Sequence, residues 1–185
     1  MATVNFSDGE KLLALMMRDI YRHFKLSGGE IDPEFVGAVI VGGHYWAPRW
    51  DMQGLFHDHE DDLRDVRLVV DILDMWSFVE SAHSKLSKKE KDRVEKEAEP
   101  FGKNVQLLGF DGNNESAHMG IAQFLIEKMN RFTRFKGRDL NSHMPTLSTY
   151  SRTLSKFAPI RAGLVGTGLD AGQLITILKA KMRAT

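Results

Sequence analysis

The composition of this chain of 185 residues disfavours some classes of protein and excludes others at the outset. The 25 Lys and Arg residues balance 25 Asp and Glu residues, and this zero net charge disfavours a nucleic-acid or anionic-membrane binder. The chain has no cysteine, which excludes disulfides, thiolate metal sites and a cysteine nucleophile, and its 42% hydrophobic content predicts one globular domain, residues 1–185.

The N-terminal part of the chain predicts two helices. A capping box of Ser7 and Glu10 begins the first helix, in which apolar residues recur at helical spacing. These residues are Leu13, Met16, Met17, Ile20 and Phe24. Asp32 is a cap and Pro33 a first helical position, and together they start a second, apolar helix that ends at a pair of glycines.

A long helix and a charged segment follow Pro48, which breaks the chain. The long helix carries an apolar stripe made of Leu63, Val66, Val70, Leu73, Trp76 and Val79. Residues 88–104 are highly charged, and a capping box of Ser87 and Glu90 predicts a solvated helix at their start. Because this segment has almost no apolar face, we expect it to project from the core or to be mobile.

The C-terminal part predicts three more helices. The first begins in the stretch GFDGNNES, residues 109–116, and its inward face is predicted to hold Met119, Ala122, Ile126 and Met129. Pro145 opens the next helix and Pro159 ends it, and Asp170 caps the last one, whose inward residues are Ile175, Leu178 and Met182. Residues 105–110 are strand-like but lack an obvious partner. The pattern predicts an all-α fold, a compact multihelical single domain of about six to eight helices.

The stretch GFDGNNES is the first candidate site. Asp111, Asn113 and Glu115 fall at alternate positions, as in the first half of a calcium-binding EF-hand loop. The sixth position of that loop is Ser116 instead of glycine and the twelfth is Ala122 instead of glutamate, which excludes an EF-hand. We favour a helix start, in which an Asp or Asn caps free N–H groups and Glu115 complements the helix dipole, over a ligand site.

Residues 57–62, with the sequence HDHEDD, are a candidate metal site. Histidine and carboxylate side chains at this density can bind zinc, iron or manganese. On a helix, however, only His57 with Asp61, or Asp58 with Asp62, would share a face. We favour an acidic first turn of the long helix with Asp58 as its cap, and we predict no metal and no cofactor. A metal-dependent hydrolase at residues 57–62 is our third functional hypothesis.

Three other stretches have a functional and a structural interpretation. Residues 131–138 interleave cations and aromatic rings, as surfaces for single-stranded nucleic acids do, but a helix C-terminus with Phe132 and Phe135 inward is favoured. The glycines of residues 163–170 match no phosphate-binding loop and predict a flexible link. Tyr45, Trp46 and Trp50 form either an interface anchor or a corner of the core.

Three separated motifs resemble the YfbU family, a group of bacterial proteins without an established biochemical activity. They are VDILDMW at residues 70–76, LGFDGNNE at residues 108–115, and LNSHMP at residues 140–145, which leads into YSRTL at residues 150–154. The resemblance spans residues 43–181, and the charged insert at residues 88–103 is longer than the family implies. It implies a multihelical, self-associating cytoplasmic protein, and it brings no catalytic residues.

The second and third motifs are both rich in hydrogen-bonding side chains, and both lie at predicted helix N-termini, where free N–H groups can meet an anion or a polar ligand. We therefore predict that the two loops converge on one polar pocket or one hydrogen-bonded junction. The candidate ligand-binding residues are Asp111, Asn113, Asn114, Glu115, Asn141, Ser142 and His143.

Our first functional hypothesis is a non-enzymatic cytoplasmic protein that acts through self-association or contacts with a protein partner, in regulation or stress physiology. Many aromatic and methionine residues suit helix-on-helix interfaces. The alternative is a small-molecule-binding protein or enzyme that uses the loops at residues 111–115 and 141–143, with His143 as its proton carrier. No signal peptide and no membrane-spanning run is predicted.

Overall fold

The computed structural model describes residues 3–56, 60–164 and 168–182. Within these ranges the chain forms eight α-helices and one isolated β-bridge, which confirms the predicted all-α fold. None of the described helices is long and apolar enough to cross a membrane. The chain divides into two compact units, unit 1 (Met1–Glu60) and unit 2 (Asp61–Thr185).

Unit 1 contains three helices, α1 (Asp8–Phe24), α2 (Pro33–Gly42) and α3 (Ala47–Asp51). The predicted capping box of Ser7 and Glu10 starts α1, and Asp32 accepts a hydrogen bond at the start of α2. Pro48 does not break the chain, because it lies in the first turn of the short helix α3, where a proline needs no N–H partner. The local signals for helix starts are therefore met in this unit.

Unit 1 buries little of its own apolar surface. In its described part the buried residues are Gly37, Val39 and Ile40 of α2 and Pro48 of α3. Helix α1 has no buried residue, although its apolar residues recur at helical spacing. One stripe of α1, the α1 apolar face, is open to solvent and consists of Leu13, Met16, Ile20 and Phe24. The periodicity predicted the helix, but none of the described residues of unit 1 covers this face.

Unit 2 is built around a long central helix, α4 (Leu63–Lys85), which packs against α6 (Ser116–Gln123), α7 (Leu147–Ala162) and α8 (Ala171–Lys179). Three of the six residues of the predicted stripe of α4, Leu73, Trp76 and Val79, are buried in the core. The ring of Trp76 packs edge-on against Tyr150, and Tyr150 packs edge-on against Phe110, with centroid distances of 6.1 and 5.8 Å. These rings join α4 and α7 to the loop before α6.

The charged helix α5 (Lys88–Glu97) begins with the predicted capping box of Ser87 and Glu90. It does not project from the core, because it packs against α8 and its residue Val94 is fully buried. Ala98, directly after the helix, is also fully buried. Val94 and Ala98, four positions apart and so on one side of the chain, are enough to pack this helix against the core, although its other residues are almost all charged.

Several predicted boundaries of unit 2 were wrong. The cap of α4 is Asp62, whose side chain accepts from the N–H of Arg64, so the helix begins later than an Asp58 cap would require, and Leu63 is exposed. Pro159 does not end α7, which continues to Ala162. Pro159 lies on an exposed side of the last turn, where water can satisfy the carbonyl that a proline leaves without a donor.

Two inward residues were also predicted wrongly. Helix α6 continues into a π-helical turn, Phe124–Lys128, which inserts an extra residue into the helical period. Of the residues predicted to face inward, Ala122 and Ile126 are buried, but Met129, after the turn, is exposed. A 3-10 turn, Thr133–Phe135, takes the place of the predicted helix C-terminus and buries Phe135. Met182 follows α8, which ends at Lys179, and is exposed.

Candidate functional site

The two polar loops predicted to converge do lie side by side in unit 2. Phe110 and Asn141 form a parallel bridge, in which the N–H of Phe110 donates to the carbonyl of Leu140 at 2.8 Å. The N–H of Ser142 donates back to the carbonyl of Phe110 at 3.0 Å. Gly109 makes this approach possible, since its φ is +86° and a Cβ there would lie 2.0 Å from the carbonyl oxygen of Leu140. We call this arrangement the polar junction.

The carboxylate of Glu115 lies at the centre of the polar junction and is 6% exposed. Its Oε1 accepts from the N–H groups of Thr146 and Leu147, at 2.8 and 2.9 Å. Its Oε2 accepts from the N–H of Asp111 at 3.0 Å and lies 2.9 Å from the hydroxyl of Thr146. One side chain therefore joins the loop before α6 to the first turn of α7.

Glu115 was predicted to complement the dipole of the helix that follows it, but it caps a different one. It is the N-cap residue of α6, yet its side chain makes no capping bond there. Instead it takes the place of a capping side chain at α7, where the N-cap residue Thr146 makes no side-chain capping bond of its own. A carboxylate at a helix N-terminus is stabilised by free N–H groups and by the helix dipole.

The ionisation of Glu115 follows from these contacts. Burial on its own would raise the pKa of the carboxyl, but hydrogen bonds from the N–H groups of Leu147, Asp111 and Thr146 and from the Thr146 hydroxyl outweigh it. The pKa of Glu115 is therefore lowered from its usual value of 4.5, and the group is an anion at neutral pH. An anion already present in this position satisfies the N–H groups that a bound anionic ligand would need.

Asp111 organises the turn that leads to Glu115. Its Oδ1 accepts from the N–H of Asn113 at 3.0 Å, and its Oδ2 accepts from the side-chain amide of Asn114. These hydrogen bonds, that from the Asn114 side chain first, lower the pKa of Asp111. Asp111 is 2% exposed, so its carboxylate faces the chain. The turn is an Asx turn, a local structure that Asp favours.

Asn141 plays the corresponding part in the second loop. Its Oδ1 accepts from the N–H of Gly112 at 3.1 Å and from the N–H of His143 at 3.0 Å. The hydroxyl of Ser142 donates to the carbonyl of Met144 at 2.7 Å. The side chains of the predicted residues Asp111, Glu115, Asn141 and Ser142 thus each make at least one hydrogen bond to the chain itself.

Two residues outside the predicted set complete the polar junction. The hydroxyl of Tyr150 donates to the carbonyl of Gly109 at 2.9 Å, and the hydroxyl of Thr146 lies 2.9 Å from the same oxygen. Burial raises the pKa of the Tyr150 phenol above its usual range, so the group stays protonated and can donate this hydrogen bond. Tyr150 belongs to the third family motif, and Thr146 immediately follows the residues LNSHMP. Membership of the third motif, or a place directly beside it, was the sequence signal that could have identified both residues as part of the junction.

Three of the predicted site residues stay at the surface. Asn113, Asn114 and His143 are exposed, and His143 has a φ of +54°, in the left-handed region. Asx and His residues adopt that region more readily than branched or bulky ones. The polar junction therefore has an inner part that consists of mutually bonded groups and an outer part that presents two amides and an imidazole to solvent.

The other candidate sites fare differently. His57, Asp58 and His59 lie outside the described residues, so the metal-binding hypothesis for residues 57–62 stays a prediction. Among the described residues, no group of three His, Asp or Glu side chains is placed to hold a metal ion.

The last cation of residues 131–138 has a structural partner. The guanidinium of Arg138 donates through Nη1 and Nη2 to the two carboxylate oxygens of Glu80, at 2.8 Å each. Glu80 is 8% exposed and also accepts from the N–H of Leu107. The ring of Phe135 is buried, and its centroid lies 5.1 Å from the Cζ atom of Arg138. The stretch thus uses Arg138 and both of its phenylalanine rings, Phe135 in the core and Phe132 packed against it, to hold unit 2 together.

The aromatic group near Pro48 is on the surface. Trp46 and Trp50 are both exposed and pack edge-on against each other, with a centroid distance of 5.6 Å. Tyr45 instead packs against Phe6 at 6.0 Å. Of the two interpretations left open for this group, exposure of both tryptophans favours an interface anchor over a corner of the core.

The comparisons with known proteins agree with the three motifs. The family model of the YfbU domain matches residues 36–180, which is most of the chain. No curated protein matches the chain. The match includes the whole polar junction and begins after α1, within α2.

Proposed function

We propose that this chain, which belongs to the YfbU family, acts without catalysis, through self-association in which the α1 apolar face of one copy packs against that of a second. The observation that carries this proposal is the exposure of the face. Leu13, Met16 and Phe24 are each more than 60% exposed, on a helix that buries none of its residues. Contiguous apolar residues on one side of a helix mark an interaction surface in a soluble protein.

The composition of unit 1 supports the same proposal. Its described part buries only four residues, which is a small core for three helices. Of the 18 large apolar side chains that stay exposed in the described residues, 12 belong to unit 1, from Leu12 to Leu55. A second copy that covered this surface would supply the hydrophobic burial that unit 1 lacks.

Charge also favours a second copy as the partner. The chain has 25 basic and 25 acidic residues, so two copies carry no net charge and do not repel each other at long range. The residues between the apolar positions of α1 include both signs, for example Arg18, Asp19 and Arg22. Within the chain, Arg18 already pairs with Asp19 at 3.4 Å and Arg22 with Glu34, so no unbalanced charge from these residues opposes a second copy.

Light scattering at tens of micromolar protein tests this proposal. We expect an oligomer for the natural chain and a shift to monomer for Met16→Glu, which places a charge in the apolar face without lowering helix propensity. Leu63→Glu is the matched control, because Leu63 is 71% exposed at the start of α4 and lies outside unit 1. A strict monomer for the natural chain would refute self-association.

The polar junction is proposed to be structural, since its inner carboxylates and amides are bonded to the chain itself. A small-molecule or enzymatic site there is the alternative proposal, and it would use the exposed side chains of Asn113, Asn114 and His143. Substitution of His143 by alanine separates the two, because it would abolish binding of a ligand but leave the inner hydrogen bonds intact. Elemental analysis of purified protein tests the third hypothesis, a metal-dependent hydrolase at residues 57–62.

A further inference from the structure

Unit 1 encloses a partly open apolar cavity of about 340 Å³. All three helices of the unit and the segments around them contribute to its walls. The lining residues include Ala14, Met17, Tyr21, Val36 and Met52. Met17, Ile31 and Leu55 are each roughly half exposed, so the cavity has an opening to solvent. We call it the unit 1 cavity.

We propose that the unit 1 cavity binds a neutral small molecule with an apolar body of about ten heavy atoms and one polar group. At about 30 Å³ for each water-sized group, 340 Å³ holds roughly eleven such groups. Cavities that bind small molecules have volumes of about 300 to 1,000 Å³, so the unit 1 cavity lies at the lower end of that range. This proposal does not rest on self-association.

The chemistry of the walls decides the class of ligand. None of the lining side chains carries a formal charge, and Tyr21 is the only one with a polar atom that can donate a hydrogen bond. A charged ligand would lose its hydration there without gaining an ion pair, which is costly. Because Tyr21 alone among the lining side chains offers a hydrogen-bond donor, the walls suit a ligand with at most one polar group.

A single side chain of a second copy would not fill the unit 1 cavity. An apolar cavity of about 150 Å³ is enough for benzene, so an inserted phenylalanine ring would leave more than half of the 340 Å³ unfilled. A small molecule can fill the remaining space, and the thioethers of Met17 and Met52 can adapt to its shape.

The unit 1 cavity and the α1 apolar face use different sides of one helix. Ala14, Met17 and Tyr21 face the cavity. Successive residues of an α-helix are about 100° apart around the axis, so this stripe lies about a quarter turn from the stripe of Leu13 and Met16. Variants can therefore change one surface without the other, and the two proposals can fail independently.

Binding of 1-naphthylamine, a fluorescent probe of eleven heavy atoms that is neutral at pH 7, tests the proposal on the full chain. We expect saturable binding of one probe per chain and displacement by 1-decanol, which has eleven heavy atoms and one hydroxyl. Decyltrimethylammonium, which has a chain of the same length and a fixed charge, should displace the probe at least tenfold less well. Absence of saturable binding to the natural chain would overturn the proposal.

Variants that fill the unit 1 cavity sharpen the test. Ala14→Phe and Val36→Phe each add volume at a lining position, and each should weaken probe binding at least tenfold. Ala38→Phe is the matched control for Ala14→Phe, because Ala38 is exposed on α2 and is not part of the lining. If both filling variants bound the probe as the natural chain does, the cavity would be refuted as its site. The same conclusion would follow if only Met16→Glu lost binding, because the probe would then bind another surface.

Discussion

Replacement of Glu115 should destabilise unit 2 far more than replacement of any exposed glutamate. In Glu115→Ala the N–H groups of Asp111, Thr146 and Leu147 lose the acceptor that they share in the natural chain. A buried donor without a partner costs about 1 to 3 kcal/mol, and disruption of a buried charged network costs about 3 to 5 kcal/mol. We expect the free energy of unfolding to fall by about 4 kcal/mol.

Glu115→Gln is the more informative change because it keeps the shape of the side chain. Each carboxylate oxygen of Glu115 accepts from at least one backbone N–H, Oε1 from two and Oε2 from one. Either orientation of the glutamine therefore places its NH₂ group against a backbone donor. Fewer hydrogen bonds are lost when the NH₂ group takes the Oε2 position. The Thr146 hydroxyl can then accept from this NH₂ group and donate its own proton to the carbonyl of Gly109. We expect a loss of about 2 kcal/mol.

Urea unfolding at pH 7, followed by circular dichroism, measures both changes. Glu95→Gln is the control, since Glu95 is exposed on α5, and it should change the free energy of unfolding by less than about 0.5 kcal/mol. The folded-state pKa of Glu115 is lowered, so its stabilisation is present above its usual value of 4.5 and is lost as the pH falls through the lower folded value. If Glu115→Gln matched the control at pH 7, the capping role of Glu115 would be refuted.

Three further predictions concern the core of unit 2. Burial lowers the pKa of Lys181 from 10.5 to about 8. Between pH 8 and pH 10.5 the unfolded state therefore binds more protons than the folded state, and the folded state becomes more stable as the pH rises. Over this range the natural chain should gain up to about 3 kcal/mol of stability relative to Lys181→Met. Parallel stability curves for the two proteins would contradict this. Arg138→Ala leaves the buried Glu80 carboxylate without its cation and should cost about 2 to 3 kcal/mol in urea unfolding, whereas a surface ion pair would cost less than 1 kcal/mol. Val94→Ala should cost about 2 kcal/mol because α5 packs on α8 through this residue, and a loss within about 0.5 kcal/mol would mean that α5 is only loosely attached.

Signals that act within one turn of helix were predictable from the sequence. The predicted capping boxes at Ser7 and Ser87 involve residues only three positions apart, and both are present. The predicted cap Asp170 also accepts from the N–H of Gln173, and the two residues form a third box. The family motifs pointed correctly to two loops that meet in space. Such features need no knowledge of the partner elements, because the hydrogen bonds are local and the motif order is written in the chain.

Only the tertiary structure decided what these elements contact. Glu115 and Thr146 are 31 positions apart, and no local rule distinguishes a carboxylate that caps its own helix from one that caps another. The stripe of α1 has the same period whether a core covers it or not, and the packing of unit 1 leaves it exposed. Periodicity and capping determine where helices form, whereas burial depends on surfaces that come from distant parts of the chain.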